Sequence, residues 1–343
     1  MKIAYIVPSL ANRGPIIVVK DLVTVMTAHG HDCIVYYFDE KCELNFDCET
    51  KRIKFVKSID FSQFDVIHSH GIRSDIYLFI HKPIFCHCVC VSTIHSFIME
   101  DLASQYNKYF AFLVGKLWIF ILKRHNKIVV LSHIALDYYR KWFALNKLSV
   151  VYNTRILEMA EKLTDEEEKE IIDFKKDSII LGVNAFLSPI KGVDLMIKSL
   201  PYLDNHIKLW IVGDGKSTIE LQNLSNELGV RGRVFFAGYR KNAYRYLPYY
   251  DLFMMTSRSE GFPLSLLEAM LYKKKIVCSN IPIFREIFSD RDVIFFELDN
   301  VVSLVKSIIH ALQIDKSPFS HKCYWNSYSP ACFYRNYLAI YTH

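Results

Sequence analysis

Ser257-Arg258-Ser259-Glu260-Gly261-Phe262-Pro263-Leu264-Ser265-Leu266-Leu267-Glu268-Ala269-Met270 sets a glutamate and a glycine just before a proline, then carries a second glutamate onward. Proline's missing N–H costs nothing in a first helical turn, so Pro263 marks a helix start. Leu264, Leu267 and Leu271 recur at helical spacing and predict a buried face. Glu268 lies beside that face, and its neighbours at i−4 and i+4 are Leu264 and Tyr272, so no surface ion pair along the helix accounts for it. A carboxylate so placed needs a hydroxyl, an N–H or a cation from elsewhere in the fold. Alone, two glutamates eight positions apart also fit an ordinary loop-to-helix junction.

Around this segment, short apolar runs alternate with helical stretches along the whole chain, the pattern of parallel sheets covered by helices. Strands are predicted over 2–7, 33–38, 53–56, 65–68, 89–94, 127–131 and 149–151, then over 178–183, 208–212, 233–236, 252–255, 275–278 and 293–296. Long helices are predicted over 14–29 and 100–123. A polar, acidic stretch, 158–177, separates two similar patterns and reads as an interdomain linker. The expected organisation is a Rossmann-like domain over 1–157, the linker, a second Rossmann-like domain over 178–325, and a C-terminal helix (326–343) packing back on the body. At 343 residues with 51% hydrophobic and 23% charged residues, two globular domains can each bury a core. A net charge of +6 suits anionic small molecules or a membrane face and is too modest to argue for nucleic acid.

The opening residues lack a signal-peptide pattern, and nine scattered cysteines then point to a reducing cytoplasm. Cys86, Cys88 and Cys90 alternate with His87, which on a strand puts the sulfurs on one face and the imidazole on the other. Zinc-type spacing and a second Cys/His pair are both missing, so the segment reads as a buried strand with no metal. Asp290-Arg291-Asp292 precedes a strand and reads as a loop.

In doubly wound sheets, ligands gather outside the carboxyl ends of strands. Those ends carry Arg13-Gly14, His68-Ser69-His70, His95, Lys191-Gly192, Gly213-Asp214-Gly215 and Gly238-Tyr239-Arg240. Lys191 opens a helix, where a cation opposes the helix dipole unless it neutralises an anion there. A plain tight turn at Gly14 and a solvated Lys191 remain open readings.

Taken in order, these segments resemble the GT-B glycosyltransferases of the large retaining family 4, over nearly the whole chain. The resemblance rests on Gly14, Gly30-His31, Asp65 to His70, Thr93-Ile94-His95, Val151-Tyr152-Asn153, Lys191-Gly192, Val212 to Gly215, Phe236 to Tyr239 and the Glu260/Glu268 block, which matches the family's E-x7-E signature. It implies an α/β fold of GT-B architecture, two Rossmann-like doubly wound domains facing across a cleft. It also implies transfer of a hexosyl group, with retention, from a nucleotide-diphosphate sugar to a lipid-linked or oligosaccharide acceptor in surface polysaccharide or lipopolysaccharide biosynthesis. On the matching positions, Glu260 and His95 would be catalytic and Glu268 would bind the ribose. Lys191 would hold the diphosphate, with backbone at Gly14, Gly261, Phe262, Pro263 and Leu264; the backbone around Tyr239 and Arg240 would meet the base. The family implies no cofactor and no metal.

One departure stands out. Family members usually carry an arginine where this chain has Phe186, and Arg13 or Arg258 is the expected compensation. A catalytically weak or inactive binding protein and a GT-B nucleotide-sugar epimerase are the alternatives. Apolar and basic residues over 109–127 fit either a buried helix or a peripheral contact with the inner membrane face, so the expected location is cytoplasmic, in the second case on the membrane's cytoplasmic face.

Overall fold

The computed structural model describes residues 1–342 (for 104 and 105, the backbone alone). The chain divides into two compact units, Met1–Ile156 with Tyr328–His343, and Leu157–Ser327.

The first unit holds a parallel sheet of β1 (Lys2–Val7), β2 (Asp32–Tyr37), β3 (Glu49–Arg52), β4 (Val66–His70), β5 (Val89–Ile94), β6 (Lys127–Val130) and β7 (Leu148–Val150), in the order β3-β2-β1-β4-β5-β6-β7. Its helices are α1 (Gly14–Ala28), α2 (Ile72–His81), α3 (Ile98–Gln105), α4 (Lys108–Leu122) and α5 (His133–Tyr139). The second unit begins with α6 (Asp165–Lys175). Its parallel sheet contains β8 (Ile179–Asn184), β9 (Ile207–Val212), β10 (Val234–Gly238), β11 (Leu252–Met255), β12 (Lys275–Ser279) and β13 (Ile294–Phe296), in the order β10-β9-β8-β11-β12-β13. It is covered by α7 (Val193–Ser199), α8 (Thr218–Glu227), α9 (Leu264–Leu271), α10 (Pro282–Ile287), α11 (Val301–Gln313) and α12 (Ser317–Cys323). The central strands are near-continuous apolar runs because helices cover both faces; β11, Leu-Phe-Met-Met, is buried throughout.

The last helix, α13 (Pro330–Thr342), belongs to the first unit, and hydroxyls fix it there. Tyr341 Oη lies 2.7 Å from His68 Nδ1, and Tyr337 Oη lies 3.0 Å from Thr93 Oγ1. Buried polar groups need such partners, so helix and sheet satisfy each other. A buried ion pair, Arg155 Nη1 to Asp21 Oδ2 at 2.7 Å, ties the end of this unit's main segment to α1.

Four sequence expectations change. Residues 158–177 are not a bare linker: Thr164 and Glu167 form a reciprocal capping box, and Asp165 to Glu168 complement the dipole of α6. That helix docks on the second sheet through Phe174, whose ring lies 5.6 Å from Trp210 and 5.3 Å from Phe235. The strand expected over 53–56 forms at Glu49–Arg52, all of it exposed, as a charged edge strand; Ile53 and Phe55 pack under the sheet just beyond it. The helix expected over 100–123 breaks because the Asn107 side chain accepts the Phe110 N–H and caps a new helix, α4. Finally, β5 begins only at Val89, so Cys86 and Cys88 precede the strand, yet their sulfurs gather with that of Cys90.

Candidate active site

The order of the second sheet reverses between β8 and β11, and the loops leaving these two strands carry the glutamates and the lysine. After β8 the chain makes a short turn at Pro189–Lys191 and then reaches Gly192, whose φ is 63°. A Cβ added at Gly192 would stand 2.1 Å from the Thr256 carbonyl oxygen, so both its backbone conformation and its neighbour require glycine. Thr256 Oγ1 donates to the Gly192 carbonyl at 2.9 Å, fastening this turn to the end of β11.

The result is a compact polar cluster. Lys191 Nζ donates to Glu260 Oε1 at 2.7 Å, and Ser257 Oγ donates to the same oxygen at 2.7 Å. The Glu260 side chain is only 8% exposed and that of Lys191 26%, so this is a half-buried pair with one face toward solvent. Gly261, Phe262 and Pro263 lead directly into α9; Pro263 is its N-cap rather than its first helical residue, and no side chain caps it. The burial of α9 centres on Leu266 to Met270 instead of on Leu264 and Leu271, which are half-buried. Glu268 falls within that buried run. Burial first, then the charges of Glu268 and Glu161, push the Tyr272 hydroxyl up, which places both carboxylates in its neighbourhood.

Two arginines near this site are held by carboxylates. Arg258 donates to both Asp194 oxygens at 3.0 and 3.1 Å and to Asp299 at 2.8 Å. Its guanidinium is thereby committed to buttressing the loop, which removes the basis for assigning it the diphosphate. The Arg240 guanidinium bonds Glu170 of α6 at 3.1 Å, and Tyr239 beside it is exposed. Phe186 is exposed. Ser257, Thr256 and Asp194 shape this site and were not singled out from sequence; a serine three residues before a glutamate was the available signal for Ser257.

In the first unit the corresponding reversal lies between β1 and β4. Arg13, exposed, is the N-cap of α1, and a Cβ added at Gly14 would meet nothing within 4 Å, so packing does not demand glycine there. At the end of β4 and just after β5, His70 Nδ1 lies 2.9 Å from His95 Nε2, and the His70 and His68 rings lie 4.3 Å apart. Desolvation pushes His95 down to about 4, and burial drives His68 and His70 well below the usual histidine range. The Asp290–Asp292 segment is a loop, closed by Asp292 accepting from Ser289.

Residues 13–156 match the model described as Glycosyltransferase Family 4, and residues 164–328 the one described as Glycosyl transferases group 1. The O-antigen biosynthesis glycosyltransferase WclY of Escherichia coli is 33% identical over 321 residues, 91% of this chain and 89% of its own length. The chain belongs to the group 1, family 4-like glycosyltransferases. A second relative, 31% identical over 43% of this chain and 40% of its own length, is the N-acetylgalactosamine-N,N'-diacetylbacillosaminyl-diphospho-undecaprenol 4-alpha-N-acetylgalactosaminyltransferase of Campylobacter jejuni. Among solved structures, Anabaena Alr3699/HepE in complex with UDP and glucose superposes with a TM-score of 0.81 at 15% identity, covering 100% of this chain and 99% of that one. The two-domain, Rossmann-like α/β architecture is thus that of a GT-B glycosyltransferase.

The histidines of this glycosyltransferase make its stability pH-dependent in a stated direction. Their folded pKa values are depressed, so between about 4 and 6.5 the unfolded chain binds more protons than the folded one. The histidines therefore cost no stability above pH 6.5 and cost progressively more as the pH falls toward 4. Urea unfolding at pH 7, 6 and 5 should show a falling midpoint, with a shallower fall in His95→Gln; a midpoint independent of pH would contradict this.

Proposed function

We propose that this glycosyltransferase moves a hexosyl group from a nucleoside-diphosphate sugar to a lipid-linked or oligosaccharide acceptor, with retention at the anomeric carbon, in surface polysaccharide or lipopolysaccharide assembly. The observation that carries the reading is the Lys191–Glu260–Ser257 cluster at the switch point of the second sheet, beside the uncapped start of α9. Departure of a nucleoside diphosphate develops negative charge, which a fixed ammonium and oriented backbone N–H groups stabilise where water is scarce. Lys191 is the ammonium and residues 261–264 supply backbone. The sugar left behind is oxocarbenium-like, and the Glu260 carboxylate, aimed by Ser257, orients it and offsets its charge. Glu268 binds the ribose hydroxyls, the chain around Tyr239 and Arg240 meets the base, Gly14 admits phosphate close to the backbone, and His95 acts at the sugar and acceptor. Catalysis on this reading uses no metal or cofactor. Arg13 is the remaining candidate to replace the arginine lost at Phe186.

The relatives support the setting: the Campylobacter enzyme is named for a diphospho-undecaprenol acceptor, and the E. coli one for O-antigen biosynthesis. A lipid-borne acceptor calls for a membrane-facing surface, and α4 offers one. Its inner side is buried through Ala111, Gly115, Ile119 and Leu122, whereas Tyr109, Phe112, Leu113, Leu117 and Phe120 are exposed. Lys116 lies over the Phe112 ring at 5.5 Å, Lys108 is the first residue of the helix and Lys123 is its C-cap. Aromatic and aliphatic residues edged by lysines suit the interface of an anionic bilayer, here the cytoplasmic face of the inner membrane. Among the described residues no helix is long and apolar enough to cross a membrane.

Two experiments test these readings. In a thermal-shift panel of nucleoside diphosphates and nucleotide sugars, one family of nucleotides should stabilise the wild type by mass action, with UDP the first probe. Lys191→Ala should weaken that binding by roughly tenfold or more, since charge-assisted contacts contribute about 1.5–3 kcal/mol. Glu260→Gln should bind normally but lose sugar transfer and donor hydrolysis. Binding without any turnover in the wild type would favour the inactive reading that Phe186 suggests. In flotation assays, the protein should bind anionic liposomes at low salt and be released by high salt, and Leu113→Glu/Leu117→Glu should abolish binding. Equal recovery of wild type and variant in the soluble fraction at low salt would refute the membrane face.

A further inference from the structure

We propose that Cys86, Cys88 and Cys90 form a site for one thiophilic d10 metal ion, of the class of Zn2+ and Cd2+, at the opening of β5. The three sulfurs lie within 4.8 Å of one another, with Cys86 Sγ 2.8 Å from Cys88 Sγ and Cys88 Sγ 3.8 Å from Cys90 Sγ. An ion held at the usual Zn–S distance of about 2.3 Å sets tetrahedral sulfurs about 3.8 Å apart, so small side-chain adjustments seat it. Alternation already put the three sulfurs on one face, but the spacing lacks a zinc-type pattern and a second Cys/His pair; what the structure adds is how near the sulfurs come, with a bend at Cys88 just before β5.

The surroundings are prepared for thiolates. Lys82 Nζ is held at 2.8 Å by Asn126 Oδ1, and the same oxygen accepts the Cys90 backbone N–H at 3.0 Å. The Arg124 guanidinium donates to the carbonyls of Phe79 and Lys82, fixing the chain that leads into the cluster. On binding, the thiols release their protons to solvent. Three thiolates and a divalent cation carry a net single negative charge, which the Lys82 ammonium balances.

Cys88 and Cys90 are buried, while half-buried Cys86 provides the entry. His87 is exposed, leaving the fourth position to water or a small thiol. The cluster sits at the amino end of β5 and His95 follows its carboxyl end, about 17–20 Å away along the strand. The ion is therefore a clasp for the loop between α2 and β5 and not part of the transfer chemistry. Soft thiolates select such ions over magnesium or calcium.

The test uses the full chain, reduced and stripped of metal, titrated with Cd2+ while the sulfur-to-metal charge-transfer absorption is followed, and with Zn2+ against a chromophoric chelator. The expected result is one ion per chain. Cys86→Ser and Cys90→Ala should each weaken binding by about tenfold or more, and Cys332→Ser should not. Cys86→Ser alters a half-exposed side chain and keeps the test valid should Cys90→Ala misfold. No retained ion, equal affinity in wild type and Cys86→Ser, or a Cys86–Cys88 disulfide formed in place of metal uptake would each overturn the proposal.

Discussion

The contact between Lys191 and Glu260 at the switch point of the second sheet is the interaction on which the functional account depends. A half-buried ion pair of this kind contributes little net stability, because each charge has lost hydration that the other only restores in part. Removing one partner alone is costly, about 3–5 kcal/mol for a buried pair, because it leaves the other charge uncompensated. The chain nonetheless builds much around this contact: Gly192 in a left-handed turn, Thr256 fastening that turn to β11, Ser257 on the carboxylate, and Arg258 held by Asp194 and Asp299. Such support aims an ammonium and a carboxylate, a use of structure that chemistry explains better than stability does.

Much of this was legible in the residues and some was not, for physical reasons. Buried parallel strands announce themselves as apolar runs, so the positions of β1, β5, β8 and β11 follow from composition and spacing. Edge strand β3 does not, because its residues are solvated and charged and its apolar signal belongs to the segment after it. The acidic run before β8 reads as linker until the Thr164–Glu167 capping box is weighed, and then its charges become the complement of a helix dipole. Glu260 and Lys191 could be picked out as neighbours-to-be from their strand ends. The commitment of Arg258 to two carboxylates could not, because Asp194 and Asp299 are 64 and 41 positions away in the chain.

The proposed function gives the two units different work, and local physics supports that assignment. The first carries neutral buried histidines, an α13 anchored by tyrosine hydroxyls, and a lysine-edged apolar helix face suited to a lipid-borne acceptor. The second carries the charged cluster suited to a leaving diphosphate. The buried histidines lie on β4, with His95 just after β5, and the charged cluster follows β8 and β11, where strand order reverses in the second sheet; the chain matches one glycosyltransferase family model in each unit.

Hydrogen–deuterium exchange with and without UDP reads the central claim most directly, since it reports which backbone amides a nucleotide touches without requiring the acceptor. The account predicts slower exchange in peptides spanning 189–193 and 258–265, at the ends of β8 and β11, and little change around 86–90. A bound nucleotide that protects other segments while leaving these two unchanged would contradict it.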